Sequence, residues 1–203
     1  PKPPRINRTG VATRAKIIDA AIAVLADKGF SGFTLQAVAD RAEVLFGSVT
    51  HHYGTRDRLI AAMLEAILSR YRERFDELTT ALREDESPFA REMNPKVKGF
   101  AADALAPDTT GVFLELWAMA SHLPFVAASV NQLYDEAVDA CIAALGLPPR
   151  ARHVRKLRES LYLLGTVIEG TSSIFGNRDR SGPLWRGVRG ARAGGWWVLI
   201  AGA

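Results

Sequence analysis

Cysteine, long apolar runs and strand-like alternation are all scarce in this chain of 203 residues. Its one cysteine, Cys141, excludes an internal disulfide framework and suits a reducing compartment. Wholly apolar runs are short: Trp196 to Ala201 near the end spans six residues and none exceeds seven, against the ~20 that a membrane-crossing helix needs. The opening Pro1-Lys-Pro-Pro-Arg5 has cations but no apolar stretch, so no secretory signal is expected there. A soluble, cytoplasmic protein is the expectation. Without useful period-two alternation, an all-α chain is predicted. Chemical motifs are missing as well. No phosphate loop, nucleophile elbow, Cys-x-x-Cys or His-Glu-x-x-His pattern occurs, so neither an enzyme, a metal site nor a cofactor is expected. His51 and His52 are adjacent, and neighbours on a helix point about 100° apart, which does not suit chelation of one ion.

What is present is the composition of an ordinary globular protein, 48% apolar and 24% charged, long enough to bury a core. The net charge of +4 is unevenly spread: residues 1–60 hold nine Lys/Arg against five Asp/Glu, and residues 61–203 hold seventeen of each. Lys2, Arg5, Arg8, Arg14 and Lys16 lead that excess. A local cationic patch attracts the phosphate backbone; its simpler reading is a solvated tail that aids solubility.

Residues 1–12, rich in Pro, Arg, Asn and Gly, read as an arm. A helix is predicted from Thr13 to Lys28, with Ile18, Ile22 and Leu25 as its apolar stripe. Gly29 ends it, Phe30 and Phe33 pack beneath, and Thr34 caps the next helix. Two short helices follow, joined by a tight turn. Ala37, Val38 and Ala42 face inward on the first, and Val49 and Tyr53 on the second. The second keeps Ser48, Thr50, His51 and His52 on its other sides. That is a helix-turn-helix, whose second helix enters the major groove of double-stranded DNA. The candidate DNA contacts are Thr34, Gly47, Ser48, Thr50, His51, His52 and Arg56. Gly47 permits close approach, the hydroxyl and imidazole groups exchange hydrogen bonds, and Thr34 and Arg56 stand at helix N-termini suited to phosphate. Leu45 and Phe46 are expected to pack inward, the other option being a thymine methyl.

A long helix is predicted over 56–83 with Thr55 as N-cap, then a polar break over 85–95. Helices over 95–105, 110–121, 125–145 and 150–175 follow, separated at Pro107, Pro124 and Gly146-Leu-Pro-Pro149. A domain of residues 1–55 and a body of 56–203 result. The Gly/Arg/Trp-rich tail, 176–203, has no assigned structure.

The series Gly29-Phe30, Thr34-Leu35, Val38-Ala39, Ala42, Val44, Gly47, Val49, His52-Tyr53, Arg56 and Leu59 resembles the N-terminal domain of the TetR repressors, over residues 13–65. The remainder is similar in style, with Leu116-Trp117-Ala118 in its body. The resemblance implies a homodimeric transcriptional regulator, usually a repressor, bound to a near-palindromic operator and released by a small, largely apolar or aromatic effector. Three positions depart from the family's usual pattern. Glu43 stands where glycine is common in the turn, Leu45-Phe46 opens the recognition helix, and Thr50 replaces a tyrosine. A non-glycine at positive φ costs roughly 1 kcal/mol.

Within the body, Phe113, Trp117, His122, Tyr162, Thr166 and Glu169 are the candidate effector contacts, polar groups set in an apolar wall. Glu169 is the most informative, lying on the apolar helix 161–174, though a dimer seam or solvent would also hold it. Leu157, Leu161, Leu164 and Ile168 form one stripe on the last predicted helix. Leu163, Val167 and Ile174 extend it to a second face. Helices 125–145 and 150–175 from two subunits would form a four-helix interface. The rival reading is a helical interaction protein of the same fold that has lost specific DNA binding.

Overall fold

A computed structural model describes residues 8–84, 107–144 and 152–175. All described secondary structure is helical: α1 (Arg8–Gly32), α2 (Leu35–Arg41), α3 (Phe46–Tyr53), α4 (Arg56–Glu84), α5 (Pro107–Ala120), α6 (Pro124–Ala144) and α7 (Arg152–Phe175). The all-α expectation holds. The predicted helix over 95–105, the break over 85–95 and the tail from 176 lie outside the described residues.

Helix starts follow local chemistry. Pro107 and Pro124, read as breaks, are the first residues of α5 and α6, where proline's fixed φ helps and its missing N–H costs nothing. The Thr55 hydroxyl accepts from the Arg58 amide at 3.3 Å, capping α4. One start was misplaced. Helix α1 begins at Arg8, inside the segment expected to be an arm.

The chain divides into two units, and α4, α5 and α6 each contribute residues to both. The first holds the described residues up to Arg70 together with Gly111–Ala128. Its core comprises Ile17, Ala21, Val24, Leu25, Phe33, Val38, Val49, Leu59, Ile60 and Met63, joined by Leu116, Met119 and Val126. The apolar centre of α1 is therefore Ile17-Ala21-Val24-Leu25, while Ile18 and Ile22 are only half-buried. Reading the stripe from large residues alone missed Ala21, which is fully buried.

The second unit holds the described residues from Tyr71 to Glu84, Pro107–Thr110 and those from Ser129 onward. In it Val138 and Ile142 of α6 pack with Val154 and Leu157 of α7, and Leu161 closes the cluster. Thr79 is buried, its hydroxyl donating to the Asp76 carbonyl at 3.1 Å.

Candidate nucleic-acid interface

The site is built from the end of α1 forward. Gly29 has φ 64 and ψ −178, a backbone region essentially open only to glycine. It breaks α1 and turns the chain toward Phe33, which is almost wholly buried. Space is tight there as well. A Cβ at position 29 would meet Glu115 Oε1 at 3.0 Å. That carboxylate accepts the Phe30 amide through Oε2 at 2.7 Å.

From the other side, Arg56 donates through Nε to the Phe33 carbonyl at 2.8 Å and through Nη2 to the Phe30 carbonyl at 2.7 Å. Its guanidinium also lies 4.3 Å from the Phe30 ring centre, a favourable stacking of cation on π face. Arg56, expected at a phosphate, thus has two donors committed to the turn before α2. Glu115 carries no local sequence signal. It lies 85 positions from its partner.

Thr34 caps α2 as predicted, its Oγ1 accepting the Ala37 amide at 3.0 Å. Val38, Ala39 and Ala42 bury the inner face of α2. The turn into α3 passes through Glu43 at φ 50, the left-handed conformation that glycine adopts more cheaply. Its carboxylate meets Lys16 Nζ at 3.3 Å, but both side chains are more than half exposed, so the pair adds little.

Helix α3 is anchored by Val49, which has no exposed surface. Gly47 and His51 are exposed, and Ser48, Thr50 and His52 are half-exposed. A Cβ on Gly47 would have nothing within 4 Å. The Thr50 hydroxyl bonds back to the Phe46 and Gly47 carbonyls at 3.3 and 3.2 Å. Leu45 and Phe46 correct an expectation: they do not pack inward but are 81% and 46% exposed. Val49 takes the inward position of α3, and this pair stands exposed ahead of it.

Arg14 of α1 meets two residues of α3. Its Nε donates to His52 Nδ1 at 3.4 Å, and its carbonyl accepts the Tyr53 hydroxyl at 3.5 Å. Burial, then the charges of Arg14 and His51, hold His52 below the usual imidazole range. Burial raises Tyr53, opposed by Arg14.

The body residues are placed less uniformly. Phe113 is buried and meets Trp117 edge-on, ring centres 6.3 Å apart. His122, expected inside an apolar wall, is exposed on the turn after α5. The other three candidates belong to the second unit. The Tyr162 hydroxyl donates to Asp135. Thr166 is exposed, its hydroxyl donating to the Tyr162 carbonyl at 2.9 Å. Glu169 is half-buried, accepts from the Tyr134 hydroxyl at 2.9 Å, and is raised above the ordinary carboxylate range by burial, against the lowering effect of that bond. A cleft of about 200 Å³ in this unit is lined by Arg72, Phe75, Asp76, Leu133, Glu136, Ala137 and Ala140, none of them an expected effector contact. Arg72 and Glu136 pair at 2.7 Å on its wall. Among the described residues no cluster of three metal-ligating side chains occurs, and no helix is long and apolar enough to cross a membrane.

Residues 17–63 match the family model "Bacterial regulatory proteins, tetR family". The chain is 27% identical over 187 residues to the HTH-type transcriptional regulator BetI of Burkholderia thailandensis, covering 90% of this chain and 83% of that one. Its fold is similar to that of a Mesorhizobium loti protein described as a TetR-family transcriptional regulator, with TM-score 0.77 and 15% identity over 95% and 96% of the two chains. It is similar also to the multidrug binding protein EbrR complexed with malachite green, with TM-score 0.55 and 23% identity over 82% and 88%. The helix-turn-helix of residues 17–63 is thus matched in register by the TetR family model, and the all-helical chain shares the fold of solved TetR-type proteins.

Proposed function

We propose that the chain acts as a homodimeric repressor, each protomer setting α3 into a major groove of a near-palindromic operator. The observation that carries this reading is α3 itself: Val49 anchors it while Gly47, Ser48, Thr50 and His51 keep exposed surface. Thr34 and His52 then serve phosphates on either side. Arg56 acts chiefly by holding the turn before α2, since two of its donors are already engaged there. On α7, Leu163 and Val167 lie one turn apart and are 58% and 41% exposed. A second copy of the helix would cover them.

The effector in this reading is a small, largely apolar or aromatic molecule. Its candidate contacts are Phe113, Trp117 and the exposed His122 in the first unit, and Tyr162, Glu169 and the exposed Thr166 in the second. It acts only through unequal affinity for two states of the protein. Malachite green, the ligand of EbrR, is a suitable first probe.

The test is fluorescence anisotropy of the purified protein on the DNA upstream of its own coding sequence, against a scrambled duplex at physiological salt. Preference for the native duplex, weakening steeply with salt, is the expected result. Absence of binding even at low salt would transfer support to the interaction-protein reading.

A further inference from the structure

Leu45 and Phe46 are hard to explain by folding. Leu45 occupies the N-cap position of α3 with an extended backbone, φ −65 and ψ 142, and makes no side-chain cap bond. Serine, threonine, aspartate or asparagine there would satisfy an amide of the first turn. Instead an 81% exposed leucine stands there, followed by a phenylalanine that is 46% exposed. The fold loses a cap and leaves apolar surface in water.

We propose that these two side chains read the 5-methyl groups of thymines in the major groove and so determine operator specificity. The proposal rests on the DNA-binding reading above. Residues at the N-terminal end of a recognition helix are those that reach base edges. Neither side chain carries a donor or acceptor, so neither reads the hydrogen-bonding edge of a base. In the major groove the thymine methyl is the one apolar group that a base pair presents. The next residue, Gly47, has nothing within 4 Å of where its Cβ would be, which leaves room for the backbone to approach. The excess of cations in residues 1–60 supplies the matching charge for the surrounding phosphates. The apolar surface at the start of α3 comes from these two side chains, with the half-buried Val44 before them and Gly47 after.

The test uses the full chain and a duplex enriched by the protein itself from random-sequence DNA. Each thymine of the bound half-site is replaced singly by deoxyuridine, which removes only the methyl. Wild type should lose about fourfold in affinity for each methyl contacted. Leu45→Ala and Phe46→Ala should each bind more weakly and each become indifferent to one or more of those replacements. The slope of affinity against salt should not change, because phosphate contacts are untouched. Circular dichroism melting should match wild type, since both side chains are exposed. Equal affinity of wild type for thymine and uracil duplexes overturns the proposal. Uracil losses that persist undiminished in both variants also overturn it, because they would report groove shape. Enrichment of no sequence at all would refute specific DNA binding itself, and this proposal with it.

Discussion

The Phe30 amide donates to Glu115 Oε2 across 2.7 Å while the Phe30 carbonyl accepts from Arg56 at 2.7 Å. One peptide segment is thus held by a carboxylate from α5 and a guanidinium from α4. Removing a charged acceptor from a part-buried amide costs about 1.5–3 kcal/mol. Glu115→Ala should lose that much in urea denaturation, and Glu115→Gln, which keeps an acceptor, about half. Gly29→Ala combines a forbidden backbone region with a 3.0 Å clash against the same carboxylate, so a loss at least as large is expected. Wild-type stability in Glu115→Ala would show that the turn does not depend on this clamp.

Glu43 at φ 50 predicts a stabilising substitution. Glu43→Gly should gain about 1 kcal/mol by relieving the left-handed strain, less a few tenths for the exposed contact with Lys16. The midpoint of chemical denaturation reads this directly. A midpoint that falls would mean the turn tolerates glutamate without strain.

Gly47 separates folding from binding. It is helical, and a methyl group there would touch nothing within 4 Å. Gly47→Ala should therefore stabilise the protein by about 0.5–1 kcal/mol. Its DNA affinity should nevertheless fall, roughly tenfold, if the backbone approaches the groove closely at that position. Paired melting and anisotropy measurements should move in opposite senses. Unchanged affinity would remove Gly47 from the interface.

His52 predicts a pH dependence with two parts. Its imidazole is held low by burial, Arg14 and His51, so the unfolded chain binds a proton more readily. That contribution to stability is present above the ordinary histidine value, about 6.5, and is lost as pH falls through the lower folded value. A phosphate beside the ring would favour the protonated form, so DNA affinity should tighten as pH falls toward that value. His52→Gln should flatten this trend, and Arg14→Ala should raise the His52 value in an NMR titration. An affinity profile identical in wild type and His52→Gln would exclude His52 as a phosphate contact.

Glu169 gives the opposite sign. Its folded value is raised by burial, beyond the lowering by the Tyr134 bond. Its contribution is thus full below the ordinary carboxylate value, about 4.3, and lost as pH rises through the higher folded value. Glu169→Gln should melt near wild type at low pH and above it at neutral pH. A gap that stays constant with pH would show that Glu169 titrates as a solvated carboxylate.

The local elements were legible because their causes are local. Thr34 as a cap, Gly29 as a stop, and the inward Val38 and Val49 each follow from one residue's backbone preference or from helical periodicity. The helix-turn-helix needed no more than that. The start of α1 was misread because proline, glycine and arginine in the first twelve residues suggest irregular chain, while helix propensity alone is a weak guide.

Contacts between distant segments were decided by the tertiary structure alone. The sequence shows Arg56 as a cation at a helix N-terminus; its partners, the Phe30 and Phe33 carbonyls, are 26 and 23 residues away. It shows Glu169 as a carboxylate on an apolar helix, but the Tyr134 hydroxyl that meets it lies 35 residues earlier. It suggests that Leu45 and Phe46 pack inward, whereas Val49 takes the buried position and these two stand exposed. Periodicity determines which residues share a helix face. Which face meets another element, and which polar group finds a partner there, depends on side chains brought together only when the helices pack.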